Sequence, residues 1–243
     1  MKRSTSTRLK VGSVAFGTCA LVMGTIGAAP ASADGGGHHD GHGRVEQTRK
    51  GLTGLFTTCP VPAQPATCLG FTVNARNFTE EVGDREYHDE LVWVDAFPVT
   101  IDATGIHIGQ DRVATSQTDG NPPRFGGTLA RVRIDGARSA RVRGSVTLHD
   151  NDGTTHAIVL DMTVTGGAVQ PFAFDGQVGS ALCPTFSTTG HGAGVFSDTA
   201  TTSGTMTLDG VALSAVPPTP GVQGAQLNSG RFTGTCDAPP AGA

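Results

Sequence analysis

The sequence predicts an all-β domain, a single antiparallel β-barrel or β-sandwich of about nine to eleven short strands tied by two disulfides. Three observations support this. Between residues 128 and 165, apolar residues fall on even positions and odd positions are mostly polar, the period-two pattern of half-buried strands. Gly, Pro, Asn and Asp separate short apolar runs, and no convincing helix follows the N-terminal segment. An even number of cysteines follows that segment.

The first 33 residues have the features of a secretory signal peptide. Four basic residues and no acid occupy the first ten positions, an apolar run covers 11–29, and Ala31-Ser32-Ala33 forms a small-x-small cleavage pattern. We therefore expect a secreted, extracellular chain that keeps no transmembrane anchor after cleavage.

Residues 34–50 are expected to form a disordered leader rich in Gly and His, because they offer few apolar side chains to bury. Its His38, His39 and His42 suit weak metal binding, but a solvated spacer is the favoured interpretation, and we expect no metal site or cofactor. The all-β domain is expected to cover 51–237, and residues 238–243 are expected to form a disordered tail.

Composition limits the partners. Removing residues 1–33 leaves 13 basic against 21 acidic residues, because the segment removed holds four of the 17 Lys and Arg and none of the 21 Asp and Glu. A net charge of 13 − 21 = −8 argues against nucleic acid as the main partner. We expect a small ligand or an extracellular or cell-envelope partner instead.

Four cysteines remain after cleavage, namely Cys59, Cys68, Cys183 and Cys236. The short separation favours pairing Cys59 with Cys68 and Cys183 with Cys236, although three connectivities are possible. A zinc site is the weaker alternative, because none of the spacings is the two-residue spacing of a zinc knuckle.

Turn residues predict individual hairpins. Asn151-Asp152-Gly153 suits a three-residue loop that pairs Leu148 with His156. Asp209-Gly210 suits a two-residue turn that pairs Leu208 with Val211, and the stretch 101–106 indicates a further turn. The glycine-rich run 190–194 is expected to be a bare connecting loop.

Four arginines form the most unusual local pattern. If Ile134 pairs with Ala140, then Arg133 faces Arg141 and Arg131 faces Arg143, whereas a shorter loop faces Arg131 to Arg141. Either register opposes like charges, which destabilises a sheet unless an anion or nearby carboxylates compensate. An ordinary exposed face, on which Arg143 pairs with Asp161, is favoured over the alternative of an anion or acidic-polymer site.

The segment 80–90 gathers six carboxylates and a histidine before the most apolar strand, 91–97. Carboxylate pairs suit glycosidic acid–base chemistry, but acidic loops are usually solvated. Asp95 shares the parity of Leu91, Trp93 and Phe97, so we expect a buried carboxylate that must be paired or have a raised pKa. The candidate ligand-binding residues are Asp95, Trp93, Arg131, Arg133 and Arg141.

Three classes of function remain open. A secreted binding protein that holds a small apolar ligand or a surface partner is favoured. The alternatives are a cell-envelope structural or interaction protein, including a protease inhibitor, and an extracellular hydrolase or lyase that uses carboxylates between Glu86 and Asp95. Neither Gly-x-Ser-x-Gly nor His-Glu-x-x-His occurs, so enzyme status stays open. In its signal, composition and strands such as 142–148, the chain resembles secreted β-rich proteins of actinobacteria.

Overall fold

The computed structural model describes residues 43–59, 66–102, 105–117, 129–183, 187–216 and 224–237. Those residues form thirteen β-strands and no helix, which confirms the predicted class. The strands are β1 (Arg44–Thr57), β2 (Ala66–Val82), β3 (Arg85–Asp102), β4 (Gly105–Ile108), β5 (Ala114–Thr115), β6 (Arg131–Asp135), β7 (Ser139–Asp150), β8 (Thr155–Thr165), β9 (Gln170–Val178), β10 (Ser187–Leu208), β11 (Val211–Ala212), β12 (Ser214–Ala215) and β13 (Ala225–Asp237). The signal peptide predicted for 1–33 and the tail predicted for 238–243 both lie outside the described residues.

Eight of these strands close into a ring. The order is β1-β2-β3-β5-β7-β8-β10-β13, and β13 returns to β1 with every neighbouring pair antiparallel. The closed ring corresponds to the barrel alternative of the sequence prediction. Closure satisfies backbone groups that an open sheet would leave at its edges.

The ring is unevenly paired around its circumference. Neighbouring strands share long ladders at most positions, for example seventeen residue pairs between β2 and β3. In contrast, β5 contributes two residue pairs to β3 and two to β7. We call this β3–β5–β7 contact the seam. Beside it, the backbone N–H of Val132 in β6 donates to Glu90 Oε1 at 2.8 Å, so a side chain of β3 replaces part of the missing ladder.

The predicted alternation in 128–165 is confirmed. Ala130, Val132, Ile134, Ala140, Val142, Val146, Leu148, Ile158, Leu160, Met162 and Val164 are all buried in one cluster. Opposite them, Leu52, Phe56, Phe71, Val73 and Leu227 complete the interior. Large side chains such as Phe56, Met162 and Met206 are fully buried, so the interior of the ring is filled by the protein itself.

The predicted hairpins have the expected registers. Leu148 pairs with His156, and Leu208 pairs with Val211 around Asp209 and Gly210, both of which have positive φ as a type I′ turn requires. Asp102 pairs with Gly105, so β3 and β4 pair on both sides of the third predicted turn, whose residues 103 and 104 lie outside the described residues.

The strands are longer than predicted, because a glycine-rich segment that was predicted to be a loop is part of a continuous strand. The predicted loop 190–194 lies inside β10, which has 22 residues. A Cβ atom at Gly190 would lie 2.0 Å from the Thr233 carbonyl oxygen, and one at Gly194 would lie 2.3 Å from that of Ser229. Only glycine fits at these two positions, because the backbone of β13 lies too close to leave room for a Cβ atom. These glycines therefore indicate close packing of β10 against β13 and not a turn.

The expected disordered leader is wrong for residues 44–50. These residues are the first half of β1 and pair with β2 on one side and β13 on the other. Val45 and Gln47 are buried, so this polar stretch contributes alternate side chains to a packed face. The rest of the leader, including its three histidines, lies outside the described residues.

A second, smaller core lies on the outer side of the ring. Since the pairing of β1 with β2 is continuous, Val45, Gln47 and their partners face away from Leu52 and Phe56. Residues 179–183 cover this face, and Val45 packs with Val82 and the buried cysteines Cys183 and Cys236.

The carboxylate of Glu80 is fully buried beneath this covering segment. Its Oε1 accepts from Gln47 Nε2 at 3.3 Å and from the Ser180 hydroxyl, and its Oε2 accepts from the backbone N–H groups of Ala181 at 2.7 Å and Leu182 at 3.3 Å. Four donors therefore compensate the loss of water around the charge and attach the segment to β2.

Both predicted disulfides are present, Cys59–Cys68 and Cys183–Cys236. Their presence is compatible with an extracellular protein, because such bonds persist in oxidising compartments.

Among the described residues, no helix is both long and apolar enough to cross a membrane.

Candidate functional site

The four arginines of β6 and β7 stand together on the outside of the ring. The register is the first of the two alternatives, with Arg131 opposite Arg143 and Arg133 opposite Arg141. Their neighbours on even positions fill the interior, so alternation places all four side chains in solvent. We call Arg131, Arg133, Arg141 and Arg143 the arginine face.

One carboxylate compensates part of this charge. Asp161 of β8 lies opposite Arg143, which donates from Nε to Oδ1 and from Nη2 to Oδ2, both at 3.0 Å. Arg141 Nη2 reaches the same Oδ1 at 3.2 Å. The hydrogen bonds from Arg143 and then Arg141 lower the pKa of Asp161 to about 2, so it stays charged throughout the neutral range.

The other half of the arginine face is not compensated. Arg131 and Arg133 are exposed, and neither has an ion-pair partner among the residues that the structure describes. Four guanidinium groups outnumber the paired Asp161 and the exposed Asp135 on the same side, which leaves a local excess of positive charge on a chain whose overall charge is negative. Such a face attracts anions, and guanidinium groups bind carboxylate, sulfate or phosphate oxygens in pairs.

Asp95 and Trp93 lie elsewhere, on the outer side of β3. The interior residues of this strand are Val92, Val94 and Ala96, so the expectation that the Trp93 parity faces the core is wrong. Asp95 is nevertheless buried, at 8 % exposure, and its Oδ1 accepts from Thr115 Oγ1 at 2.7 Å and Arg112 Nη1 at 3.3 Å. The buried carboxylate is therefore paired, as expected, and it helps to hold β5 at the seam.

The structure does not bring Asp95 to the arginine face. Asp95 pairs with Thr115, which pairs with His149 of β7, six residues along that strand from Arg143. Six residues of extended chain span about 20 Å. The candidate residues therefore form two separate sites, with Trp93 half-buried next to Asp95 on the second.

The acidic segment 80–90 is divided between the two faces of the sheet. Glu80 is buried under 179–183, and Asp89 pairs with Arg76 at 2.6 Å on that same side. On the opposite side, Glu86 contacts His88 Nε2 at 2.8 Å. This alternation separates the carboxylates that the sequence places next to one another, so the described residues do not gather them in one cleft.

The described cavities lie where β1, β2, β9, β10 and β13 extend beyond the packed interior, away from the arginine face. A groove of about 680 Å³ is lined by Arg44, Asp175, Thr189, His191, Thr233 and Thr235. The groove is open to water, and a close His191–Asp175 contact forms part of its wall. Within the described ranges, no group of three or more His, Cys, Asp or Glu side chains could hold a metal ion.

Sequence reasoning missed a cluster of one histidine and two aspartates, which forms where the ends of two hairpins meet. His156 Nδ1 lies 2.7 Å from Asp209 Oδ2, and its Nε2 lies 3.4 Å from Asp150 Oδ2. The hydrogen bond to Asp209 is the main cause that raises the pKa of His156, and the same contact lowers the pKa of Asp209. Each turn was predictable, but no signal in the sequence indicates that β8 and β10 bring the two turns together.

This cluster predicts a pH dependence of stability. A raised histidine pKa stabilises the fold fully below the unfolded value of about 6.5, and the contribution disappears as pH rises through the folded pKa. Replacing His156 with Gln should therefore lower the melting temperature by about 2 °C at pH 6 and by less at pH 9. Calorimetry at both pH values checks this, with His88→Gln as a control that keeps the His156 contribution. An equal loss at both pH values would contradict the assignment.

Comparisons with known proteins identify no related protein. The chain matches no protein-family model, no curated protein and no solved structure.

Proposed function

We propose that this chain is exported and acts outside the cell as a binding protein whose arginine face holds an anionic polymer. The observation that carries the proposal is the direct opposition of two arginine pairs, with two of the four arginines left without a carboxylate. Opposed like charges destabilise a sheet, so an anionic partner would relieve a cost that the free protein bears.

The proposed location rests on the sequence and on the disulfides. The basic N-terminus, the apolar run and the small-x-small pattern support export, and two disulfides agree with an oxidising compartment. The overall negative charge weakens non-specific attraction to polyanions, which leaves binding to depend on the local arrangement of the arginines.

A partner on the surface is favoured over an apolar ligand inside the ring. The interior contains fully buried Phe56, Phe71, Met162 and Met206, and the described cavities are open spaces on the inward face of β1, β2 and β13, beyond this packed interior and lined mostly by polar residues. A ligand-holding barrel needs empty apolar volume, and these side chains occupy it.

The spacing of the arginine face suits a partner with repeated charges. Arginines two residues apart on one strand are separated by about 6.7 Å, and the paired strands are about 4.8 Å apart. A single small anion reaches only part of such a grid, whereas a linear polymer that carries phosphate or sulfate groups can lie along it.

Titration of a fluorescent polyanion tests the proposal. The protein should bind inorganic polyphosphate or a sulfated polysaccharide but not neutral dextran, and the affinity should fall as salt increases. The double variant Arg131→Gln/Arg133→Gln should weaken binding by at least about tenfold. The stronger of the two probes identifies phosphate or sulfate as the preferred group.

Two further variants make the result specific to this face. Asp161→Asn removes the carboxylate that pairs with Arg141 and Arg143, so it should strengthen binding. Arg231→Gln removes an exposed arginine from β13 and should change the affinity little. Failure of both polyanions to bind, or equal weakening by Arg231→Gln and the double variant, would rule the proposal out.

A further inference from the structure

The strand β9 leaves one edge of the extended sheet free. It pairs with β10 through nine consecutive residue pairs, from Gln170 opposite Phe196 to Val178 opposite Thr188. On its other side it has no partner strand among the residues that the structure describes. A row of backbone donors and acceptors nine residues long is therefore available to another chain.

This edge carries little protection against strand pairing, namely one proline and one charged residue. Its only charged residue is Asp175, its register against β10 has no bulge, and seven of its nine positions carry uncharged residues other than proline. Pro171 fits an edge strand when its nitrogen points away from the neighbouring strand. By alternation, the N–H groups of Ala173, Asp175 and Gln177 then also point to the free edge.

We propose that two copies of this chain associate through antiparallel pairing of β9 with β9. A two-fold axis perpendicular to the sheet keeps facing side chains on the same side, so the axis must lie midway between the two copies of one residue, and we name the axis by that residue. An axis at Phe174, the middle residue of β9, is the one arrangement that pairs all nine residues of each strand.

The side chains of β9 are complementary to themselves in this register. Phe172 lies opposite Gly176 of the second copy, so the larger residue meets the smallest one. Ala173 lies opposite Asp175 of the second copy, so no like charges face each other. An axis at Asp175 would oppose the two carboxylates directly and pair fewer residues. About six backbone hydrogen bonds follow from the outward groups at positions 171, 173, 175 and 177.

Substitutions at Ala173 test both the association and its register, because this side chain is exposed and faces the one charge of the second strand. Ala173→Asp opposes two carboxylates on each side of the axis, whereas Ala173→Lys creates two opposite-charge pairs. By sedimentation equilibrium, we expect a dimer for the parent protein and a dissociation constant at least about tenfold higher for Ala173→Asp than for Ala173→Lys. The double variant Ala173→Asp/Asp175→Lys should restore dimerisation.

Circular dichroism and melting temperature of each variant show whether the fold is intact. The proposal fails if the parent protein is monomeric across the concentrations measured. It also fails if folded Ala173→Asp and Ala173→Lys variants dimerise equally, because the edge would then pair in another register or another surface would form the dimer. Neither outcome bears on polyanion binding by the arginine face.

Discussion

Replacing Glu80 with Gln is expected to lower the free energy of unfolding by about 3 kcal/mol. The carboxylate accepts four hydrogen bonds in a site with no solvent access. A glutamine amide has almost the same shape, but its NH₂ group would face donors where the carboxylate presents an acceptor. At least one buried donor would lose its partner, and the charge that strengthens the remaining bonds would be absent.

The matched control for this substitution is the adjacent residue. Glu81→Gln makes the same chemical change at an exposed position on the other side of β2, so it should alter stability by less than about 0.5 kcal/mol. Urea unfolding of both variants measures the difference. Equal and small effects would mean that residues 179–183 are held mainly by the disulfide and not by Glu80.

Removing the Cys183–Cys236 disulfide is expected to be at least as damaging. The bond closes a loop with a sequence separation of 53, and restoring that freedom to the unfolded chain costs about 4 kcal/mol. Both cysteines are also buried in the outer core, so Cys183→Ser/Cys236→Ser places two hydroxyl groups among apolar neighbours.

The second disulfide provides the comparison. Cys59–Cys68 has a sequence separation of 9, for which the same loop entropy gives about 2.5 kcal/mol. Chemical denaturation of the two double-serine variants should therefore rank Cys183–Cys236 as the more important bond. The reverse order would show that the outer core contributes little to global stability.

Local pattern predicted the β6–β8 region well. The alternation from Ala130 to Val164 and the turn at 151–153 depend on residues close together in the chain, and the opposition of Arg131 and Arg143 is one of the two registers that the sequence allows. Period-two alternation fixes which face each side chain takes, and the turn residues fix the register. The arginine face could therefore be predicted from sequence as an arrangement, although its partner could not.

The errors arose where distant strands decide the outcome. The large residues Leu91, Trp93 and Phe97 indicate a core face, but the filled interior accepts Val92, Val94 and Ala96, and the larger side chains remain half-buried outside. Likewise, polar 44–50 became a strand because β2 and β13 flank it on both sides. Ring closure and the burial of Glu80 depend on contacts between strands that are far apart in the sequence, and a local pattern of apolar residues cannot indicate such contacts.

The weakly paired seam gives the ring a preferred line of separation. Most neighbouring strands would have to break many backbone hydrogen bonds together, but β5 holds β3 and β7 through only two residue pairs each. Local opening follows the region with the fewest cooperative contacts, so thermal fluctuations should part the wall there first. Mechanically, the protein is then one continuous sheet whose end strands are β3 and β7. The sheet runs from β7 through β8, β10, β13, β1 and β2 to β3, and β5, the Asp95 hydrogen bonds and the Glu90 hydrogen bond join its two ends.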